Sequence, residues 1–148
     1  MKIVVSPNPY RDKQFKNARQ ACSILREAGA EVALCLPFDV DKTFEIPHDL
    51  RFQDIQKEIK TADMLICFGG DGTILHSSKI ATEHNLPILG VNIGTMGFIA
   101  ELEAGEIELL RKIPKGDYTV EERTMLDVSV GNGRQTLFHE TALNDAVI

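Results

Sequence analysis

A single carboxylate, Asp71, stands inside a glycine-rich stretch, Gly69-Gly70-Asp71-Gly72-Thr73. An apolar run, Met64 to Phe68, leads into it, and a helix-like segment leaves it towards Glu83. Glycine permits unusual backbone angles and lets N–H groups approach a ligand closely. A helix start adds free N–H donors and the positive end of the helix dipole. The passage is therefore expected to cradle phosphate. A carboxylate there repels phosphate unless a divalent metal lies between them or the carboxylate takes a proton from an attacking hydroxyl. Both explanations belong to phosphoryl transfer. Lys79 is the nearest cation in sequence, so Mg²⁺ and backbone amides are expected to neutralise the charge. Two familiar cradles do not fit: GxxxxGK[ST] is absent, and Leu75 stands where GxGxxG needs its third glycine. The competing reading makes Asp71 the N-cap of the following helix.

Two further stretches carry chemistry. Gly90-Val91-Asn92-Ile93-Gly94-Thr95-Met96-Gly97-Phe98 reads as a second wall of the cleft, Phe98 offering its ring to a base or ribose, or as a turn closing the domain. Asn144 and Asp145 pair an amide with a carboxylate, which suits a ribose diol or an adenine edge; an Asx turn is the local competitor. His76, one turn past Thr73, reads either as facing the cleft or as a helix-surface histidine, and the surface is expected. The histidines (His48, His76, His84, His139) and cysteines (Cys22, Cys35, Cys67) show no metal-ligand spacing, so no protein-built metal site is expected. The thiols read as small buried groups in a reducing cytoplasm.

The elements that must position these residues alternate. Strands are expected at Lys2–Ser6, Glu31–Leu36, Met64–Phe68 and Ile88–Asn92. Helices are expected over Ala18–Ala28, stopped by Gly29, around Phe52, Ile55 and Ile59, and from the glycine turn to about Glu83. Phe38 to Asp49 reads as a loop. The alternation predicts an α/β fold, a parallel sheet wrapped by helices, over residues 1–102. A short helix at Ile107–Ile113 follows. Then Leu126, Val128 and Val130 alternate with polar residues, Gly131-Asn132-Gly133 turns the chain, and one or two strands are expected from Gln135 to Ile148. Residues 103–148 thus read as the opening of a mostly-β second domain, cut short.

The 148 residues are 43% hydrophobic and 26% charged, an ordinary globular composition able to bury a core without staples. Sixteen basic against 22 acidic residues leave a net charge of −6, the wrong sign for a sequence-blind nucleic-acid binder or an anionic membrane surface. No apolar run approaches the roughly 20 residues of a membrane span. The opening MKIVVSPNPYR is not a signal peptide, and a cytoplasmic location is expected.

In order along the chain, the motifs resemble a known group. Gly69–Thr73 resembles the GGDGT of the superfamily containing NAD kinases, diacylglycerol and sphingosine kinases and, with a final serine, phosphofructokinases. GVNIGTMGFIAEL resembles the second NAD kinase block, GxNxGxLGFL, with Met96 for leucine. Glu122-Arg123-Thr124-Met125-Leu126 resembles its ERxML stretch, and ALNDAVI its ALNE segment, with Asp145 for glutamate. The lipid kinases share only the first block. The resemblance to NAD kinases implies a Rossmann-like domain followed by a β-rich domain, here incomplete. It also implies transfer of the γ-phosphoryl of ATP, or of polyphosphate, to the 2′-hydroxyl of the adenosine ribose of NAD, giving NADP. Asp71 would be general base or metal organiser, Gly69, Gly70, Gly72 and Thr73 would hold phosphate, and Phe98, Asn144 and Asp145 would contact the dinucleotide. Mg²⁺ is implied as well. The strands of 118–148 lack a covering layer and leave edges unpaired, so this segment is either poorly ordered while residues 1 to about 102 stay folded or paired with a second copy; pairing into a homo-oligomer is expected, since the resemblance implies oligomers. The alternatives are a lipid-kinase-like enzyme and a nucleotide-binding or assembly fragment without turnover.

Overall fold

The computed structural model describes residues 1–94 and 97–143. The chain divides into two compact units, Met1–Tyr118 and Thr119–Ile148.

The first unit is built on five parallel strands: β1 (Lys2–Pro7), β2 (Glu31–Leu34), β3 (Met64–Gly69), β4 (Ile88–Asn92) and β5 (Leu102–Glu103), in the spatial order β2-β1-β3-β4-β5. The helices α1 (Lys16–Glu27), α2 (Ile55–Glu58) and α3 (Asp71–Glu83), and a 3₁₀ helix at Ala104–Lys115, complete it. Side chains alternate across each strand, so the apolar runs build a core on both faces. Ile3, Val5, Ile66, Phe68 and Val91 meet Ala18, Ala21, Cys22 and Leu25 of α1 on one face. Val4, Leu65, Ala33 and Cys35 meet Ile59 and Ala81 on the other. Strands buried on both faces need continuous apolar sequence, as in Met64–Phe68.

The α/β expectation holds, and the differences are local. Strand β2 stops at Leu34; Cys35 continues as a single parallel bridge to Gln53, because the chain after it turns away into the loop. The short β5 carries too little pattern to be read: Leu102 pairs with Val91 and Glu103 with Asn92. The 104–115 helix reaches beyond Pro114, which sits in its last turn, and ends at Gly116 with φ 73°, the left-handed conformation glycine tolerates.

That helix also moves the first unit's edge. The sequence pattern places the boundary after residue 102, but Ile107, Leu110 and Ile113 are buried in the face that α1 also covers. Burying three such side chains is worth roughly 1.5–3 kcal/mol each, which ties residues 104–115 to the α/β unit.

In the second unit, β6 (Leu126–Gly131) and β7 (Thr136–Ala142) form an antiparallel hairpin with an irregularity at Val130/Gly131. The Gly131-Asn132-Gly133 signal marks its turn: Asn132 Oδ1 accepts the N–H groups of Arg134 and Gln135.

Candidate functional site

The strand order changes direction between β1 and β3, the place where open parallel sheets leave a crevice at their carboxyl ends. A cleft of about 520 Å³ lies there. The segment after β1 gives it Asn8 and Arg11, that after β2 Phe38, the turn after β3 Gly70, Asp71, Gly72 and Thr73, helix α3 His76, and the segment after β4 Gly94 and Gly97. Four strand ends thus converge on one space.

Local sequence explains the turn after β3. Gly70 is the N-cap and Asp71 the first residue of α3, and no side chain caps this end. Asp71 is therefore not the cap. Its carboxylate accepts from the N–H of Phe98 at both oxygens (3.2 Å at Oδ1, 3.1 Å at Oδ2) and from the N–H of Ile99 at Oδ1 (3.3 Å). The segment after β4 is thereby fastened to the start of α3. Gly97 is required at this contact: a Cβ there would stand 2.5 Å from Asp71 Oδ1. The glycines of the turn also act otherwise than expected. None of Gly69, Gly70 and Gly72 has a positive φ. Gly69 lets the Thr73 side chain close down on the strand, where a Cβ would collide with it, while Gly70 and Gly72 leave open space. The turn is built for close approach.

Thr73 is buried, and its Oγ1 accepts from Asn8 Nδ2 at 2.9 Å, which leaves its O–H free to donate. Asn92, also buried, holds the next corner: its Oδ1 accepts the Gly94 N–H (3.1 Å) and its Nδ2 donates to Glu103 (3.1 and 3.2 Å). These bonds set the cleft's backbone walls before any ligand arrives.

His76 is exposed on α3, where the sequence places it, and from that surface it also reaches the cleft. Its Nε2 is 3.0 Å from the Pro37 carbonyl, and its ring meets Phe38 edge-on at 5.8 Å. A carbonyl only accepts, so Nε2 carries the proton and donates. Phe98 brings its backbone to Asp71, but its ring is 93% exposed and does not line the cleft. Asn144 and Asp145 lie outside the described residues, as do Thr95 and Met96 of the second motif.

Sequence reasoning missed Asn8, Arg11 and Phe38. The signal was available: they follow the first two parallel strands, and ligands sit at the carboxyl ends of such strands. Arg11 also changes the charge argument. A guanidinium lining the cleft with Asp71 brings a positive charge that opposes the repulsion between that carboxylate and an anion, without relying on Lys79. Among the described residues no group of three or more His, Cys, Asp or Glu could hold a metal ion, and no helix is long and apolar enough to cross a membrane.

Comparison with known proteins identifies the family of the α/β unit. The ATP-NAD kinase N-terminal domain family matches residues 2–118, which end where the first compact unit ends. The NAD kinase of Caldanaerobacter subterraneus subsp. tengcongensis is 34% identical over 148 residues, 99% of this chain and 51% of that protein. The NAD kinase of Natranaerobius thermophilus is 44% identical over 96 residues, 64% of this chain and 33% of that protein. The crystal structure of yeast NADH kinase complexed with NADH shares the fold, with a TM-score of 0.70 at 20% identity over 97% of this chain and 47% of that one. The chain spans about half the length of the relatives it matches from end to end. With the family's domain covering the whole α/β unit and its cleft, the chain belongs to the NAD kinase family.

Proposed function

We propose that the whole protein transfers the γ-phosphoryl of ATP, or the end group of polyphosphate, to the 2′-hydroxyl of the adenosine ribose of NAD, giving NADP. The observation that carries this reading is Asp71, held by two backbone N–H groups at the start of α3 in the cleft of a NAD kinase family domain. A carboxylate oxygen offers about two acceptor positions. Oδ1 takes two N–H groups and Oδ2 one, so Oδ2 keeps a position for the incoming hydroxyl.

In the reaction, the ribose 2′-oxygen forms a bond to the γ-phosphorus, the bond from that phosphorus to the β–γ bridging oxygen breaks, and ADP leaves. The hydroxyl proton passes to Asp71 Oδ2. The open turn at Gly70 and Gly72, with the Thr73 O–H and Gly69 behind it, receives the phosphoryl group, in keeping with the general account of this chemistry as positioning and charge stabilisation. Magnesium would enter as an ion carried by the phosphates of the nucleotide rather than in a protein-built cage and would neutralise charge developing on the transferred group; Asp71 would hold it in the alternative in which its carboxylate organises the metal instead of taking the proton.

Phe98, Asn144 and Asp145 are proposed to meet the dinucleotide, Phe98 through its exposed ring. Exposed Leu126, Val130, Leu137 and Phe138 on the hairpin support assembly into a homo-oligomer, which light scattering on the whole protein checks. An NADP-specific dehydrogenase coupled to the reaction tests the activity. Phosphorylation of a diacylglycerol or sphingoid base, and not of NAD, would replace this reading with the lipid-kinase alternative.

A further inference from the structure

We infer that Arg11 grips the phosphate chain of the phosphoryl donor in the cleft. The inference rests on the phosphotransferase reading for the identity of the donor, and on the geometry of the β1–α1 segment for the residue.

Arg11 and Asp71 bring the charged side chains that face the cleft, alongside His76. His76 already donates its Nε2–H to the Pro37 carbonyl. Among the described residues the Arg11 guanidinium has no hydrogen-bond or ion-pair partner, and the residue is exposed. Its backbone, in contrast, is fastened on both sides. Asn8 N–H donates to the Phe68 carbonyl, Arg11 N–H and Asp12 N–H donate to the Asn8 carbonyl, and Lys13 N–H donates to the Arg11 carbonyl. Asp12, fully buried, accepts from Asn17 N, Asn17 Nδ2 and Ala18 N. Gln14 and Phe15 then adopt left-handed angles, each with φ 54°, a conformation that persists only where the surroundings enforce it. Here burial of Phe15 against Phe44 and Phe52 enforces it. The fold thus fixes the base of a free guanidinium at the rim of an anion-binding turn.

The donor, rather than the acceptor, is the ligand this position suits. Asn8, three residues before Arg11, donates to Thr73 Oγ1, so the arginine-bearing segment is joined to the turn on which the transferred phosphoryl lies. The segment that meets Asp71 through its N–H groups, Phe98–Ile99, comes instead from the end of β4. A guanidinium also matches phosphate oxygens with two parallel N–H donors, which a lysine cannot do.

The test uses the whole protein with Arg11→Gln and Arg11→Lys. Magnesium tripolyphosphate binding is followed by titration calorimetry, and KM is measured for ATP and for NAD. Arg11→Gln should weaken tripolyphosphate binding and raise KM for ATP by about 10–100-fold, as loss of charge-assisted hydrogen bonds does. KM for NAD and the thermal midpoint should hold, and Arg11→Lys should recover part of the loss. Unchanged tripolyphosphate affinity, or a rise confined to KM for NAD, would overturn the inference. If the wild-type protein makes no NADP, the functional reading falls, while the tripolyphosphate titration still decides the role of Arg11.

Discussion

At the residue scale, the informative contact is the one between Asp71 and the N–H groups of Phe98 and Ile99. The sequence shows a carboxylate in a glycine turn and leaves base, metal organiser and helix cap open. The structure removes the cap, because Gly70 occupies that position and the carboxylate is engaged 27 residues away. An asparagine would keep an acceptor for those N–H groups but could not take a proton. Asp71→Asn in the whole protein should therefore lower kcat by roughly 10²–10⁴-fold with NAD binding retained; unchanged kcat would remove Asp71 from the chemistry. The buried thiols give a second outcome. Burial pushes Cys22 up to about 11 and Cys35 and Cys67 up to about 12, from an ordinary value near 9. The unfolded chain loses these protons first, so their contribution to stability is complete below pH 9 and falls as the pH climbs towards 11–12, by up to about 1.4 kcal/mol per pH unit for each thiol. Denaturation at pH 8 and pH 10, with thiol labelling of the native protein at pH 8, checks this. Rapid labelling of all three cysteines at pH 8 would contradict their burial.

At the element scale, the parallel strands and their helices were legible because their apolar runs are uninterrupted, as in Met64–Phe68. What escaped was set by tertiary contacts. The two-residue β5 exists because Asn92 and Glu103 join side chain to side chain, which no pattern two residues long announces. The β1–α1 segment escaped for a related reason. Gln14 and Phe15 carry no turn signal, yet take left-handed angles between a buried Asp12 and a cluster of aromatic rings. Asp12 accepts from two backbone N–H groups in the first turn of α1 and from one amide, at the end of the helix that favours a negative charge. Asp12→Ala should destabilise the α/β unit by about 1–3 kcal/mol, read as a lower denaturation midpoint. A change below about 0.5 kcal/mol would mean that water replaces the carboxylate.

At the scale of the whole molecule, the site's walls come from four strand ends of one sheet. The α/β unit and its glycine turn were legible in the sequence; its edge was not, since the 104–115 helix declares its allegiance only through Ile107, Leu110 and Ile113. A chain ending at Tyr118 should unfold cooperatively. One ending at Leu102 should not, since it loses three buried anchors worth roughly 1.5–3 kcal/mol each against a typical margin of about 5–15 kcal/mol. Equal cooperativity in circular dichroism melts would restore the earlier boundary. The central claim concerns the reaction of the whole protein. It is tested most directly by incubating that protein with NAD, ATP and Mg²⁺ and measuring NADP and ADP together. The account predicts the two products in equal amounts. No NADP from either ATP or polyphosphate, with Mg²⁺ or Mn²⁺ present, would contradict it.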